Sequence, residues 1–199
     1  AFQNCTSLTE VAFFGSNVNI GASAFESCTA LHVVTGTTRV AVLNGSAFRK
    51  SLQTGVIDLD MSNAEIRGNN VFAEATGLKS VILKGMSTDA NGASKKYTYT
   101  FDKCTNLESV TVEKDVTMLG DYSFRNCGKL DISGLKLSKL TEMGAYVFQN
   151  CTTITNITLP QTLVKLGGNS FNGWTTTQSI YVDMAESDIV VSTSRWYST

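Results

Sequence analysis

Apolar positions along this chain fall into a frame set by phenylalanine. Phe2, Phe25, Phe48, Phe72, Phe101, Phe124, Phe148 and Phe171 are separated by 23, 23, 24, 29, 23, 24 and 23 residues. Self-similarity at a period of roughly 20–30 residues marks a solenoid, in which a coil buries its apolar face only by stacking on the next. Aligned on the phenylalanine, Cys5, Cys28, Cys104, Cys127 and Cys151 stand three residues on, and Leu8, Leu31, Leu78, Leu107, Leu130 and Ile154 six on. Pairs such as Val11/Phe13, Ile57/Leu59, Val81/Leu83, Val110/Val112, Ile157/Leu159 and Ile180/Val182 follow at nine and eleven. A glycine column, Gly21, Gly68, Gly120, Gly144 and Gly167, precedes the phenylalanine by four.

These spacings predict the local structure. From Ala24 through Phe25 and Cys28 to Leu31 the apolar steps are 1, 3 and 3, which suits a short helical turn. From Val110 to Val112 the step is 2, which suits a strand with alternating faces. The glycine column should close each coil with a bend, since glycine tolerates positive φ and close backbone approach. The expected architecture is an α/β repeat solenoid of about eight 23–24-residue coils, mainly short parallel strands joined by short helical turns. Some coils depart from the frame. Ser51, Ala75 and Trp174 replace the cysteine, Leu52 should stand in for Thr54, and Leu135 and Leu137 should take the inward places of the Phe124 coil. The 29-residue interval places an insertion at 85–99, a polar, glycine-bearing stretch expected to bulge as a surface loop.

Residues 144–171, GAYVFQNCTTITNITLPQTLVKLGGNSF, and residues 20–31, IGASAFESCTAL, resemble the BspA-like leucine-rich repeat, whose pattern runs G-x-x-A-F-x-x-C-x-x-L-x-x-V/I-x-L-P. The resemblance runs from Phe2 to about Val182, and Tyr181–Trp196 is similar to the segment that closes such arrays. It implies one domain over 1–199, with repeats over 1–182 and a C-terminal cap over 183–199. It also implies a right-handed superhelix displayed at the surface of bacteria and some protozoa, or secreted, that acts as an adhesin or binding scaffold and not as an enzyme. The chain opens in mid-repeat at Phe2 with no cap, as expected of an array with further coils upstream.

Charge and composition narrow the partners. With 16 basic and 17 acidic residues the net charge is −1, and no basic stripe appears, so nucleic acid is a poor partner. No stretch suits membrane insertion. The cysteines share one inward column, so their Cβ vectors run parallel; free, buried thiols are expected in preference to disulfides, and a straight ladder offers zinc no tetrahedral set. His32, the single histidine, is a solvent-facing position and not a catalytic base. Asp58 and Asp60 flank Leu59 on a strand's outer face, without the cleft that a glycosidase pair needs. No cofactor motif is present. Acceptor patterns for N-glycosylation at Asn4, Asn44, Asn150 and Asn156 would matter only in a secretory host.

Two functions remain: a surface binding or adhesion module, and a structural spacer holding another domain away from the cell. The outward positions at ten and twelve past each phenylalanine mix aromatics, threonines and both charge signs, including Asp58/Asp60, Ile82/Lys84 and Thr111/Glu113. Such a row suits recognition of a protein or glycan on a host or neighbouring cell, so Asp58, Asp60, Lys84, Thr111 and Glu113 are the expected ligand-binding residues of a monomeric module.

Overall fold

The structure, a computed structural model, describes residues 1–183. It is a parallel β-solenoid of about eight turns. The strands are β1 (Glu10–Ala12), β2 (Val18–Ile20), β3 (Val33–Thr35), β4 (Val40–Leu43), β5 (Ile57–Ile66) and β6 (Leu78–Gly85), then β7 (Ser109–Val112), β8 (Met118–Leu119), β9 (Glu142–Met143), β10 (Asn156–Leu159), β11 (Lys165–Leu166) and β12 (Ser179–Val182). All of their pairings are parallel. Of the expected cap, 184–199 lies outside the described residues.

Two strand ladders run along the array. The strands nine to eleven past each phenylalanine form β1–β3, β5–β6–β7 and β10–β12. The second ladder lies just ahead of the glycine column and comprises β2–β4–β5 and β8–β9–β11. Strand β5 serves both, pairing β6 through Ile57–Met61 and again at Glu65↔Gly85, and β4 through Glu65 and Ile66. The Phe124 coil breaks the first ladder: it forms only the bridge Ser109↔Asp131, while Leu135 is buried and Leu137 half-buried.

The segment around each phenylalanine is a third ladder and not a helical turn. The one helix among the described residues is a 3-10 turn, Thr37–Arg39. Residues two before and two after the phenylalanine are left-handed, as at Tyr122 (φ 60°) and Asn126 (φ 62°). This alternation turns every second amide toward the next coil. Phe101 N–H donates to Ser123 O at 2.8 Å, Lys103 to Arg125 O at 2.8 Å and Phe124 to Val147 O at 3.1 Å. The intervening amides close turns within the coil, as Cys127 N–H does on Phe124 O at 3.2 Å. Apolar steps of 1, 3 and 3 fit such linked turns as well as a helix.

The phenylalanine column is the centre of the core. Adjacent rings stack from Phe25 to Phe171 with centroids 5.2–6.4 Å apart, and Phe48, Phe72, Phe101, Phe124 and Phe148 are fully buried. The cysteines are free; Cys28, Cys104, Cys127 and Cys151 are buried, but Cys5 is exposed on the first coil. Their thiols donate to the phenylalanine carbonyl of the preceding coil, Cys127 to Phe101 at 3.1 Å and Cys151 to Phe124 at 3.0 Å. At two of the three positions where the cysteine is replaced, a donor remains: Ser51 Oγ donates to Phe25 O and Trp174 Nε1 to Phe148 O at 3.0 Å. Every residue of this column that follows a stacked coil donates to it except Ala75, which only fills the space. Burial drives these thiols up, Cys151 to about 12, which keeps them protonated.

Four of the column glycines, Gly68, Gly120, Gly144 and Gly167, are needed for close approach and not for positive φ, while a Cβ on Gly21 would meet nothing. A Cβ on Gly68 would lie 2.1 Å from Gly45 N, and one on Gly167 2.3 Å from Gly144 C. The 85–99 segment also departs from a simple surface loop. Met86, Ser87 and Tyr97 are buried, Thr88 bridges Ser94, and the exposed part is 90–95.

Candidate functional site

The alternation of β5, β6 and β7 sends Ile57, Leu59, Met61, Val81, Leu83, Val110 and Val112 inward, because each coil must bury one face against the phenylalanine stack. The intervening residues are thereby fixed on the outside. Register places Asp60, Ile82 and Thr111 in one row and Asp58 beside Ser80. Lys84 follows Ile82 by two, and Glu113 follows Thr111 by two, so the five expected ligand-binding residues share one face. Asp58, Asp60, Thr111 and Glu113 are exposed and Lys84 is half-buried; Ile82, at 41% exposure, supplies an apolar centre. Asp58 accepts from Ser80 Oγ, and Asp60 Oδ1 accepts from Ser62 N–H at 3.0 Å.

Lys84 also joins this face to a groove of about 400 Å³ lined by Arg39, Arg67 and Lys84 with Asn17, Thr38 and Asn63. Sequence reasoning missed this groove. Its walls come from four successive coils. The Thr37–Arg39 turn is entered through Gly36 at φ 67°, where a Cβ would strike Phe13 O at 2.1 Å. A register shift between Met61 and Glu65 lets β5 leave the first ladder and enter the second. Asn63 at that shift donates from Nδ2 to Thr38 O at 2.8 Å, tying turn to strand.

Glu65, 8% exposed, carries the electrostatics of the groove. It accepts from Arg67 Nε at 3.1 Å and from Arg67 Nη2, and its other oxygen accepts from Lys114 Nζ. Burial alone would raise its pKa, but the bonds from Lys114 and Arg67 outweigh that and hold it below the ordinary carboxylate value. No ion pair among the described residues involves Arg39 or Lys84. A chain of net charge −1 thus gathers three cations around one buried carboxylate.

Comparison with known proteins places this geometry. The model of the BspA type leucine rich repeat region matches residues 1–94 and 91–190, with 6 copies. The chain belongs to this family. A leucine-rich repeat protein from Eubacterium ventriosum matches with a TM-score of 0.64 at 24% identity, over 83% of this chain and 43% of that one. Another, from Bacteroides ovatus, gives 0.55 at 20%, over 92% and 53%. The pneumococcal vaccine antigen PcpA gives 0.52 at 20%, over 89% and 51%. At these identities the likeness is one of fold. The chain spans about half the length of the solved structures it matches. No curated protein matches it.

The other candidate chemistry of this BspA-type chain is not assembled into a centre. His32 is exposed, and its Nδ1 lies 2.7 Å from Ala30 O. No group of three His, Cys, Asp or Glu side chains among the described residues could hold a metal. Likewise no helix among them is long and apolar enough to cross a membrane. On the turn side, Tyr99, Tyr122 and Tyr146 stack at 4.7 and 4.9 Å, and Arg125 lies 4.5 Å from the Tyr122 ring while gripping Asp102 at 2.7 and 2.8 Å. These rings cover one another's faces, which leaves little aromatic surface for a ligand.

Proposed function

We propose that the chain is a non-enzymatic binding or adhesion module of a cell-surface or secreted protein, and that it recognises a protein or glycan on a host or neighbouring cell through the β5–β7 face. The observation that carries this reading is the row Asp58, Asp60, Ile82, Thr111 and Glu113, held by continuous ladder bonds and running into a groove with two cations outside any ion pair among the described residues. A face fixed in this way loses little conformational entropy on binding, which favours affinity without a deep pocket. Charges on so open a face act weakly one by one, so affinity on the order of micromolar that fades with salt is expected.

The test is binding of the protein to an array of host-surface proteins and glycans, repeated with Asp58→Lys, Asp60→Lys and Lys84→Glu combined. Loss of the wild-type hits with an unchanged circular dichroism spectrum supports the reading. Hits that survive the reversal exclude this face, and a wild-type protein that binds nothing favours a spacer.

A further inference from the structure

We propose that the groove between the Thr37–Arg39 turn and strands β5 and β6 binds an acidic sugar unit of a glycan, with Arg39, Arg67 and Lys84 holding its anionic group. This deepens the binding-module reading and rests on it. The anion preference follows from how the charges are arranged. Arg67 is anchored to Glu65 through Nε and Nη2, so Nη1 is left to donate and the planar guanidinium is already oriented. Glu65 does not oppose an incoming anion, because Arg67 and Lys114 already neutralise it. Arg39 and Lys84 add two charges that no carboxylate among the described residues pairs.

The sugar preference follows from the uncharged lining. Ser16, Asn17, Thr38 and Asn63 present hydroxyls and amides, which both donate and accept, as a ring bearing several hydroxyls requires. With Nδ2 of Asn63 committed to Thr38 O, its Oδ1 remains as an acceptor. Ala41 is the apolar residue in the lining, so a peptide would find no pocket for an anchoring side chain. A volume of about 400 Å³ lies at the small end of the usual range of about 300–1,000 Å³ for ligand sites. It has room for a short saccharide and not for a folded segment.

The anionic group can be a carboxylate or a sulfate, and the probes separate them. Calorimetric titrations at low salt would use oligogalacturonate, a chondroitin sulfate oligosaccharide, neutral chitotetraose and hexaglutamate. At least one acidic saccharide should bind, and chitotetraose and hexaglutamate should bind at least roughly tenfold more weakly. Oligogalacturonate binding assigns the carboxylate, and binding of the sulfated chain alone assigns the sulfate. Arg39→Ala combined with Lys84→Ala should weaken the acidic saccharide by roughly tenfold or more, the loss of charged hydrogen bonds. Because neither side chain is in an ion pair among the described residues, the melting temperature should not move, and Arg39→Lys with Lys84 intact should retain part of the affinity. Hexaglutamate binding as tightly as the saccharides would overturn the proposal in favour of an acidic peptide. Failure of both acidic saccharides, or binding indifferent to the double substitution, would overturn it outright. In either case array hits lost on reversing Asp58, Asp60 and Lys84 would leave the binding-module reading standing.

Discussion

Removing one ring from the middle of the phenylalanine stack should cost more than the same change at its end. Phe124 is fully buried, with Phe101 at 5.3 Å on one side and Phe148 at 5.6 Å on the other, the rings within 10° and 12° of parallel. Deleting a core phenylalanine costs about 3–5 kcal/mol, and the upper part of that range applies where the surroundings cannot close. Here they cannot. The flanking backbones are pinned by Phe101 N–H on Ser123 O at 2.8 Å and Phe124 N–H on Val147 O at 3.1 Å. A residual void of about 100 Å³ would contribute about 2.4 kcal/mol by itself at about 24 cal/mol per Å³. Phe124→Ala is therefore expected to lose about 4–5 kcal/mol. Phe2 is 47% exposed and stacks on Phe25 alone, at 5.5 Å, so Phe2→Ala should lose less than about 1.5 kcal/mol. Urea titrations followed by far-ultraviolet circular dichroism give both values by linear extrapolation. The central substitution should also lower the slope of the transition, because a broken interface lets the two halves of a repeat array unfold apart. A loss under about 1.5 kcal/mol for Phe124→Ala, or equal losses for the two variants, would show that the column is not the core.

Thiol titration of native protein should find Cys5 reacting fast and Cys28, Cys104, Cys127 and Cys151 reacting only on unfolding, since burial keeps those four as thiols; two intact disulfides by mass spectrometry would refute this. Glu26, Glu65 and Glu142 have folded pKa values below the ordinary 4.5, Glu26 through a bond from Ser23, Glu65 through Lys114 and Arg67 against its burial, and Glu142 through Lys96. A depressed carboxylate stabilises the fold above its unfolded value and loses that contribution as pH falls through the folded one. Melting temperature should thus be flat near neutrality and drop below about pH 4.5, with Glu65→Gln flattening the drop. Excising 90–93 should leave the melting temperature nearly unchanged, whereas Tyr97→Ala should lower it clearly, because Tyr97 is buried and its hydroxyl donates to Thr88 O at 3.1 Å.

The elements that stacking forces to repeat were legible from one coil. The phenylalanine column, the strands at nine and eleven and the compensating Leu52 and Leu135 all follow from burying the same face every turn. The linked turns were not, because steps of 1, 3 and 3 do not separate them from a helix. The available signal lay in the polar residues two places either side of the phenylalanine, such as Asn126 and Asn150, which tolerate the left-handed region. Met86 and Tyr97 pack inward from a stretch whose average character is polar, so composition hid them. The outer row at Asp58, Asp60, Lys84, Thr111 and Glu113 followed from alternation alone. The groove could not be read that way. Its key carboxylate, Glu65, meets Lys114 across 49 residues, and Arg39 enters from a turn that, among the described residues, only the preceding coil possesses. Both depend on irregularities, the β5 shift and the Gly36 turn, that break the period from which everything else was read.

The claim that the β5–β7 face and its groove are where this module binds is tested most directly by footprinting amide hydrogen exchange with a bound array hit. Protection is predicted to concentrate in 37–41, 58–67, 80–84 and 109–114, with little change around Tyr99, Tyr122 and Tyr146. Protection centred on that tyrosine stack, with the strand face unchanged, would contradict the account.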